Sequence, residues 1–209
     1  MTIESIFTFI VASSLISIAP GPDNLFVLTQ SALYGRKSGV IATLGLSTGL
    51  IVHTVAVALG VAAIFQNSSL AFNILKFVGA AYLVCLAWQA FTAQPTNLHA
   101  SRGSSLAAKD LYFRGIIMSI TNPKLSIFFL AFLPQFTNPS VGNLATQFLI
   151  LGLIFMSVAL TIFCGIAVLA GSLGSWLANS PKNQVYLSRV AGIVFSGLAL
   201  KLVTSTVNA

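Results

Sequence analysis

Apolar residues in this chain come in long runs, recurring roughly every 30 to 40 residues and separated by short polar stretches. The runs predict six spans, at about Ile3–Leu33, Gly39–Phe65, Leu70–Phe91, Leu111–Leu133, Leu144–Ala170 and Tyr186–Val203. Each complete span reaches the roughly 20 residues that a hydrocarbon core of about 30 Å requires of a helix. The dyad alternation of a membrane barrel strand is missing, so the spans are predicted to be helices. Two of them are interrupted: the first by Ala19-Pro20-Gly21-Pro22, the fourth by Asn122-Pro123. The only polar stretch long enough to join two halves runs from Thr92 to Asp110 and includes His99, Arg102 and Lys109.

Composition agrees with a membrane protein. Only 6% of the 209 residues are charged, against 56% hydrophobic, and the mean hydropathy is +0.95. Soluble domains carry about a quarter charged residues. The net charge of +7 invites a nucleic-acid partner until its placement is read. Seven of the ten basic residues (Arg36, Lys37, Arg102, Lys109, Arg114, Lys182 and Arg189) sit in or beside three short loops, which is a topology signal and excludes a nucleic-acid patch. The opposite loops, Gln66–Ser69 and Pro134–Asn143, have none, and Lys76 is the one dissenting charge. The basic loops are thus expected in the cytoplasm and both termini outside. Met1-Thr2-Ile3-Glu4 lacks the basic start of a signal peptide, so the first run is expected to stay as a span. Cys85 and Cys164 lie apart inside apolar runs, no His/Cys cluster has metal-ligand spacing, and nothing calls for a cofactor or metal ion.

The two interrupted spans belong to a repeat. Ser17-Ile18-Ala19-Pro20-Gly21-Pro22-Asp23 resembles Ser119-Ile120-Thr121-Asn122-Pro123-Lys124. Gly39 and Gly49 are spaced like Gly142 and Gly152, and Lys76 and Gly79 like Arg189 and Gly192. The fold expected is an all-α membrane protein of two three-helix repeats, residues 1–92 and 111–209, joined by a linker over 93–110. Three is an odd number, so the second repeat enters the membrane inverted, the plan of many secondary transporters. Half of a ~30 Å core is about ten helical residues at ~1.5 Å each. Ten residues back from Arg36 falls near Phe26, and ten forward from Arg114 falls on Lys124, so both breaks lie near the midplane.

Asp23 and Lys124 are therefore intramembrane ions, each just after the proline of its break. Such a group costs roughly 2.5 to 3.5 kcal/mol on insertion scales. Asp23 has a structural reading as a helix cap, and an Asp23–Lys124 ion pair is another. The functional reading places the carboxylate of an amino-acid zwitterion on Lys124 and a half-helix N-terminus, with its ammonium on Asp23, Asn24 or carbonyls freed near Ala19 and Pro20. Asp23 could also take up and release a proton. Thr121, Asn122 and Gln30 are uncharged candidates for the same cavity. His53 is a candidate proton relay, with interhelical hydrogen bonding as the competing role. Gly45-x-x-x-Gly49 and Gly165 with Gly171 read as close helix contacts. Trp88 and Trp176 read as interfacial anchors, and Lys76 and Lys201 as cations that snorkel.

At Pro20-Gly21-Pro22-Asp23-Asn24-Leu25-Phe26, Thr121-Asn122-Pro123-Lys124 and Pro134-Gln135-Phe136 the chain resembles the LysE/RhtB family of amino-acid exporters. Gly45 to His53, Lys76 to Leu83 and Arg189 to Gly197 extend the likeness over nearly the whole chain. The resemblance implies a bacterial cytoplasmic membrane protein that exports amino acids or derivatives such as homoserine, its lactone, threonine, leucine or lysine, driven by protons. It also implies that Pro22, Asp23, Asn122, Pro123 and Lys124 are the motif residues. Many relatives carry an acid in the fifth span where this chain has Met156-Ser157, which leaves Asp23 as the evident carboxylate and disfavours a cationic cargo such as lysine. The expected partners are the lipid bilayer, the amino-acid cargo and protons. Export of metal ions or other small solutes is the alternative, followed by a membrane-embedded enzyme. The enzyme reading fits less well, because the only acids, Glu4, Asp23 and Asp110, do not share a depth. An alkaline phosphatase fused after Ala209 is expected to be active and one inserted at residues 93–110 inactive; the reverse pattern would overturn the topology.

Overall fold

The computed structural model describes residues 1–61, 69–95, 106–178 and 180–204. The predicted end of span 2 at Phe65, and His99 and Arg102 of the linker, lie outside them. The helices in chain order are α1 Ile3–Ile18, α2 Pro22–Tyr34, α3 Arg36–Ala56, α4 Ser69–Thr92, α5 Ala108–Ile120, α6 Pro123–Ile127, α7 Leu144–Ala178 and α8 Pro181–Thr204. A π turn, Val57–Val61, prolongs α3, and α6 runs on through a π turn, Phe128–Phe132, and a 3₁₀ turn, Leu133–Phe136. Among the described residues, four helices are long and apolar enough to cross a membrane alone. The α1–α2 pair bends by 59° and the α5–α6 pair, taken to Phe136, by 47°. Counting each bent pair as one span gives the six that the hydrophobic pattern predicts.

The bends follow from proline chemistry. The Ala19 N–H bonds Leu15 O at 2.9 Å and closes α1, after which Pro20 and Pro22 have no N–H to continue the ladder. Pro22 then opens α2, where a missing donor costs nothing. In the second bend, Asn122 N–H bonds Ser119 O at 3.1 Å and Pro123 opens α6. The Asn122 side chain caps α6 by accepting the Lys124 N–H at 3.0 Å.

The bundle is built across the two triplets. α3 packs along α5, α4 along α8, and α3 and α2 both lie against α7. The α3–α7 and α4–α8 contacts join helices that the expected repeat would make counterparts. In the second of these, Gly192 of α8 faces Phe91 of α4, while Gly79 of α4 lies closest to Ala131 in the turn after α6 and next closest to Leu202 of α8. The glycines that the sequence pairs differ in their surroundings. Gly39 packs tightly on Ser31 and Ala167, whereas Gly142 stands in open space before α7 at φ +146°.

Small residues set the closest contact. A Cβ on Gly45 would collide with the carbonyl of Tyr112, and one on Gly115 would stand 2.7 Å from Ala42 O. The two backbones therefore touch without a side-chain layer between them. Gly165 differs from its expected role: nothing lies within 4 Å of where its Cβ would be. Lys76, expected to snorkel, is buried on α4 with its ammonium 5.3 Å from the Phe77 ring. Trp88 and Trp176 are exposed.

Gly45→Ala is expected to lower stability in detergent by about 1–3 kcal/mol through overpacking. Gly165→Ala should be neutral or slightly stabilising, since its Cβ is free and alanine favours helix. Thermal unfolding of both variants checks this, and equal effects would contradict the packing described.

Candidate functional site

The two bends meet in the centre of the bundle. Asp23, in the first turn of α2, is 0% exposed, Asn122 is 2% and Lys124 is 4% exposed. Lys124 Nζ stands 3.5 Å from Asp23 Oδ2. The other carboxylate oxygen, Oδ1, accepts a short hydrogen bond from Asn122 Nδ2. Lys124 Nζ also donates to Ala19 O at 3.2 Å and to Asn24 Oδ1 at 3.5 Å. Asn24 in turn donates Nδ2–H to Ser17 O at 2.7 Å. Each bend thus supplies the other with partners.

Local sequence explains why these side chains converge. Asp23 suits its position, because a carboxylate in a first helical turn faces the positive end of the dipole. Lys124 sits at the start of α6, where the helix repels it, and the Asp23 carboxylate and the Ala19 carbonyl compensate. Gly21 gives the ammonium its room: a Cβ there would lie 2.7 Å from Nζ. Its φ of −167° is ordinary extended backbone, so the constraint is space and not conformation.

His53 of α3 is buried and donates Nε2–H to Ser119 O at 3.0 Å. Ser119 is the residue whose carbonyl would have bonded position 123, and Pro123 has no N–H to give. The histidine therefore satisfies an acceptor that the break releases. The ring also packs on Phe129, with centroids 5.6 Å apart.

Two of the predicted site residues stay outside the cluster. Thr121 is exposed and turns its hydroxyl back onto Ile117 O at 2.8 Å. Gln30 lies farther along α2, its Oε1 buried and accepting no hydrogen bond among the described residues. Two residues not singled out for chemistry do reach the centre: Ser17 and Ser119 line a small cavity of about 10 Å³ beside Asp23. Their appearance in both copies of the repeat was the signal available for them.

One side of the centre is filled by rings. Phe9, Phe128, Phe129, Phe132, Phe136 and Phe155 are all buried. Phe128 and Phe132 stack at 5.0 Å, Phe9 meets Phe136 at 5.1 Å, and Phe155 meets Phe128 and Phe129 at 5.1 Å each. Lys201 of α8 lies 4.8 Å from the Phe136 ring centroid at the edge of this group.

A family model for LysE type translocators matches residues 14–206. The chain belongs to the LysE translocator family. The homoserine/homoserine lactone efflux protein of Salmonella typhimurium is 36% identical over 196 residues, covering 93% of this chain and 94% of that protein. The leucine efflux protein of an Enterobacter species is 31% identical over 205 residues, covering 94% and 93%. An uncharacterized membrane protein of Vibrio cholerae is 29% identical over 205 residues, covering 98% and 99%. No solved structure matches. The family makes this chain a multi-pass membrane exporter and not an enzyme.

Removing one member of a buried ion pair leaves the other uncompensated, typically at a cost of about 3–5 kcal/mol, whereas apolar replacement of both can be neutral. Lys124→Met alone should therefore destabilise the protein strongly, and Asp23→Leu/Lys124→Met together much less. A double-mutant cycle on detergent unfolding reads the coupling; additive losses would mean that the pair contributes nothing.

Proposed function

We propose that this LysE-family protein exports small neutral amino acids or their close derivatives across the bacterial cytoplasmic membrane, with protons as the coupling ion. The observation that carries the reading is the Asp23–Lys124 pair, at 3.5 Å, between two broken helices. An amino-acid zwitterion carries one group for each member of that pair. As its carboxylate replaces Asp23 on Lys124, its ammonium replaces Lys124 on Asp23, and neither buried ion is left alone. A cargo with only one charge would strand the other member, at the several kcal/mol that an unpaired buried ion costs. The site thereby favours zwitterions over simple anions and cations, metal ions included.

Protonation of Asp23 offers the coupling step. A neutral carboxyl no longer holds the ammonium of the cargo, so proton uptake from outside favours release there, and deprotonation toward the cytoplasm restores the site. The proposal includes the two-repeat division at residues 1–92 and 111–209, with both termini periplasmic. His53 takes a positioning role in it, holding the Ser119 carbonyl at the second bend.

In proteoliposomes loaded with labelled homoserine, threonine or leucine, an inwardly directed proton gradient should accelerate efflux. Labelled divalent metal should not leave. Asp23→Asn is expected to abolish gradient-driven efflux while the protein still inserts and purifies as a single species. Full transport by that variant would falsify the role given to Asp23.

A further inference from the structure

Serine and threonine hydroxyls on membrane helices usually bond a carbonyl one turn back. Most here do so: Ser14 to Ile10 O at 2.8 Å, Thr43 to Gly39 O at 2.9 Å, Thr54 to Leu50 O at 2.8 Å, Ser126 to Asn122 O at 3.1 Å. The buried serines behave differently: none of Ser13, Ser17, Ser31, Ser47 and Ser119 has an Oγ hydrogen-bond partner among the described residues. Of these five, Ser17 and Ser119, at 3% and 0% exposed, stand beside Asp23. Both line the cavity of about 10 Å³ that Asp23 also lines; Asp23 Oδ2 has the Lys124 ammonium at 3.5 Å and accepts no hydrogen bond among the described residues. A buried hydroxyl without a partner costs about 1–3 kcal/mol. Two such hydroxyls beside the Asp23 carboxylate mark a place shaped for a polar guest.

The rest of the wall is hydrocarbon: Leu46, Leu50, Leu125, Phe155, Ala159 and Phe163, all buried. The guest must therefore be a small hydrogen-bonding group on an otherwise apolar body. The volume suits one water, or one hydroxyl of the same size. Ser17 and Ser119 also stand at matching positions in the two copies of the Ser-Ile motif, one on α1 and one on α5. The pair thus brings α1 and α5 together at the cavity beside Asp23.

We propose that Ser17 and Ser119 form a two-hydroxyl subsite that receives a hydroxyl on the cargo's side chain, and so set the preference between hydroxylated and purely aliphatic amino acids of equal size. This rests on the reading of the Asp23–Lys124 pair as the site of an amino-acid zwitterion. The α-ammonium and a side-chain hydroxyl of one amino acid lie only a few bonds apart, which lets Asp23 serve the first while the serines serve the second. A pocket built to hydrogen-bond a hydroxyl rejects the analogue lacking it, because its own polar groups are then left unpaired.

Homoserine and norvaline differ only by a hydroxyl in place of a methyl, and make the test. Efflux of each from proteoliposomes is measured for the wild type, Ser17→Ala, Ser119→Ala, the double variant and Ser14→Ala, whose hydroxyl is already bonded to its own helix. The ratio of homoserine to norvaline efflux should fall at least tenfold in the double variant, by less in each single one, and stay unmoved in Ser14→Ala. The thermal shift induced by homoserine should shrink in parallel, and this readout does not depend on transport. A double variant in which both cargoes fall together, or in which the ratio holds, overturns the subsite. A wild type that moves neither amino acid overturns the exporter reading itself and the subsite with it.

Discussion

A proline in a membrane helix withholds a donor from a carbonyl that has no water to turn to, and the centre of this protein is organised around that shortage. Pro123 leaves the Ser119 carbonyl to Asn122 N–H and His53. The Pro20–Pro22 break leaves the Ser17 carbonyl to Asn24 and the Ala19 carbonyl to Lys124. Lys124 is thus held as much by backbone as by Asp23. The same ammonium that neutralises the carboxylate also completes the broken ladder of the facing helix. Any movement of either bend changes the charge balance of the other, which is a physical basis for coupling a bound ion to a conformational step.

Much of this was legible in the sequence because it depends on covalent constraints. Long apolar runs can only be spans, and prolines within them can only be breaks; the ionic residues following both prolines had few places to go. Counting residues from Arg36 and Arg114 put Asp23 and Lys124 at one depth, and the structure brings them within 3.5 Å. Depth is readable from length, but azimuth is not. Thr121 shares the depth of its neighbours and faces outward, and Gln30 stays apart from the cluster, because the rotation of each half-helix is set by packing. The failure of Gly165 to make a close contact has the same origin: a glycine permits an approach, and the partner decides whether it happens. For Ser17 and Ser119 the sequence shows a place in the repeat but no chemistry, because whether a serine hydroxyl bonds its own helix depends on its rotamer and surroundings.

The rings around Phe132 give the centre an asymmetric surround. On that side the centre is closed by aromatic surface, with Phe128, Phe129, Phe132 and Phe155 wholly buried. These rings are carried largely by the π and 3₁₀ turns after α6, where the hydrogen-bond ladder is irregular and its geometry poorer. Much of this buried aromatic surface is thus carried on irregular backbone.

The contact between Gly45 and Gly115 has a mechanical meaning. Side chains between two helices act as a compliant layer in which one can slide or roll on the other; here no such layer exists, and backbone rests on backbone. α3, from the first triplet, and α5, from the second, are therefore welded into one strut. A carrier that rocked its two repeats apart as blocks would have to shear that weld at every cycle. A rearrangement that kept this contact would have to take place elsewhere, at the proline joints of the two broken spans.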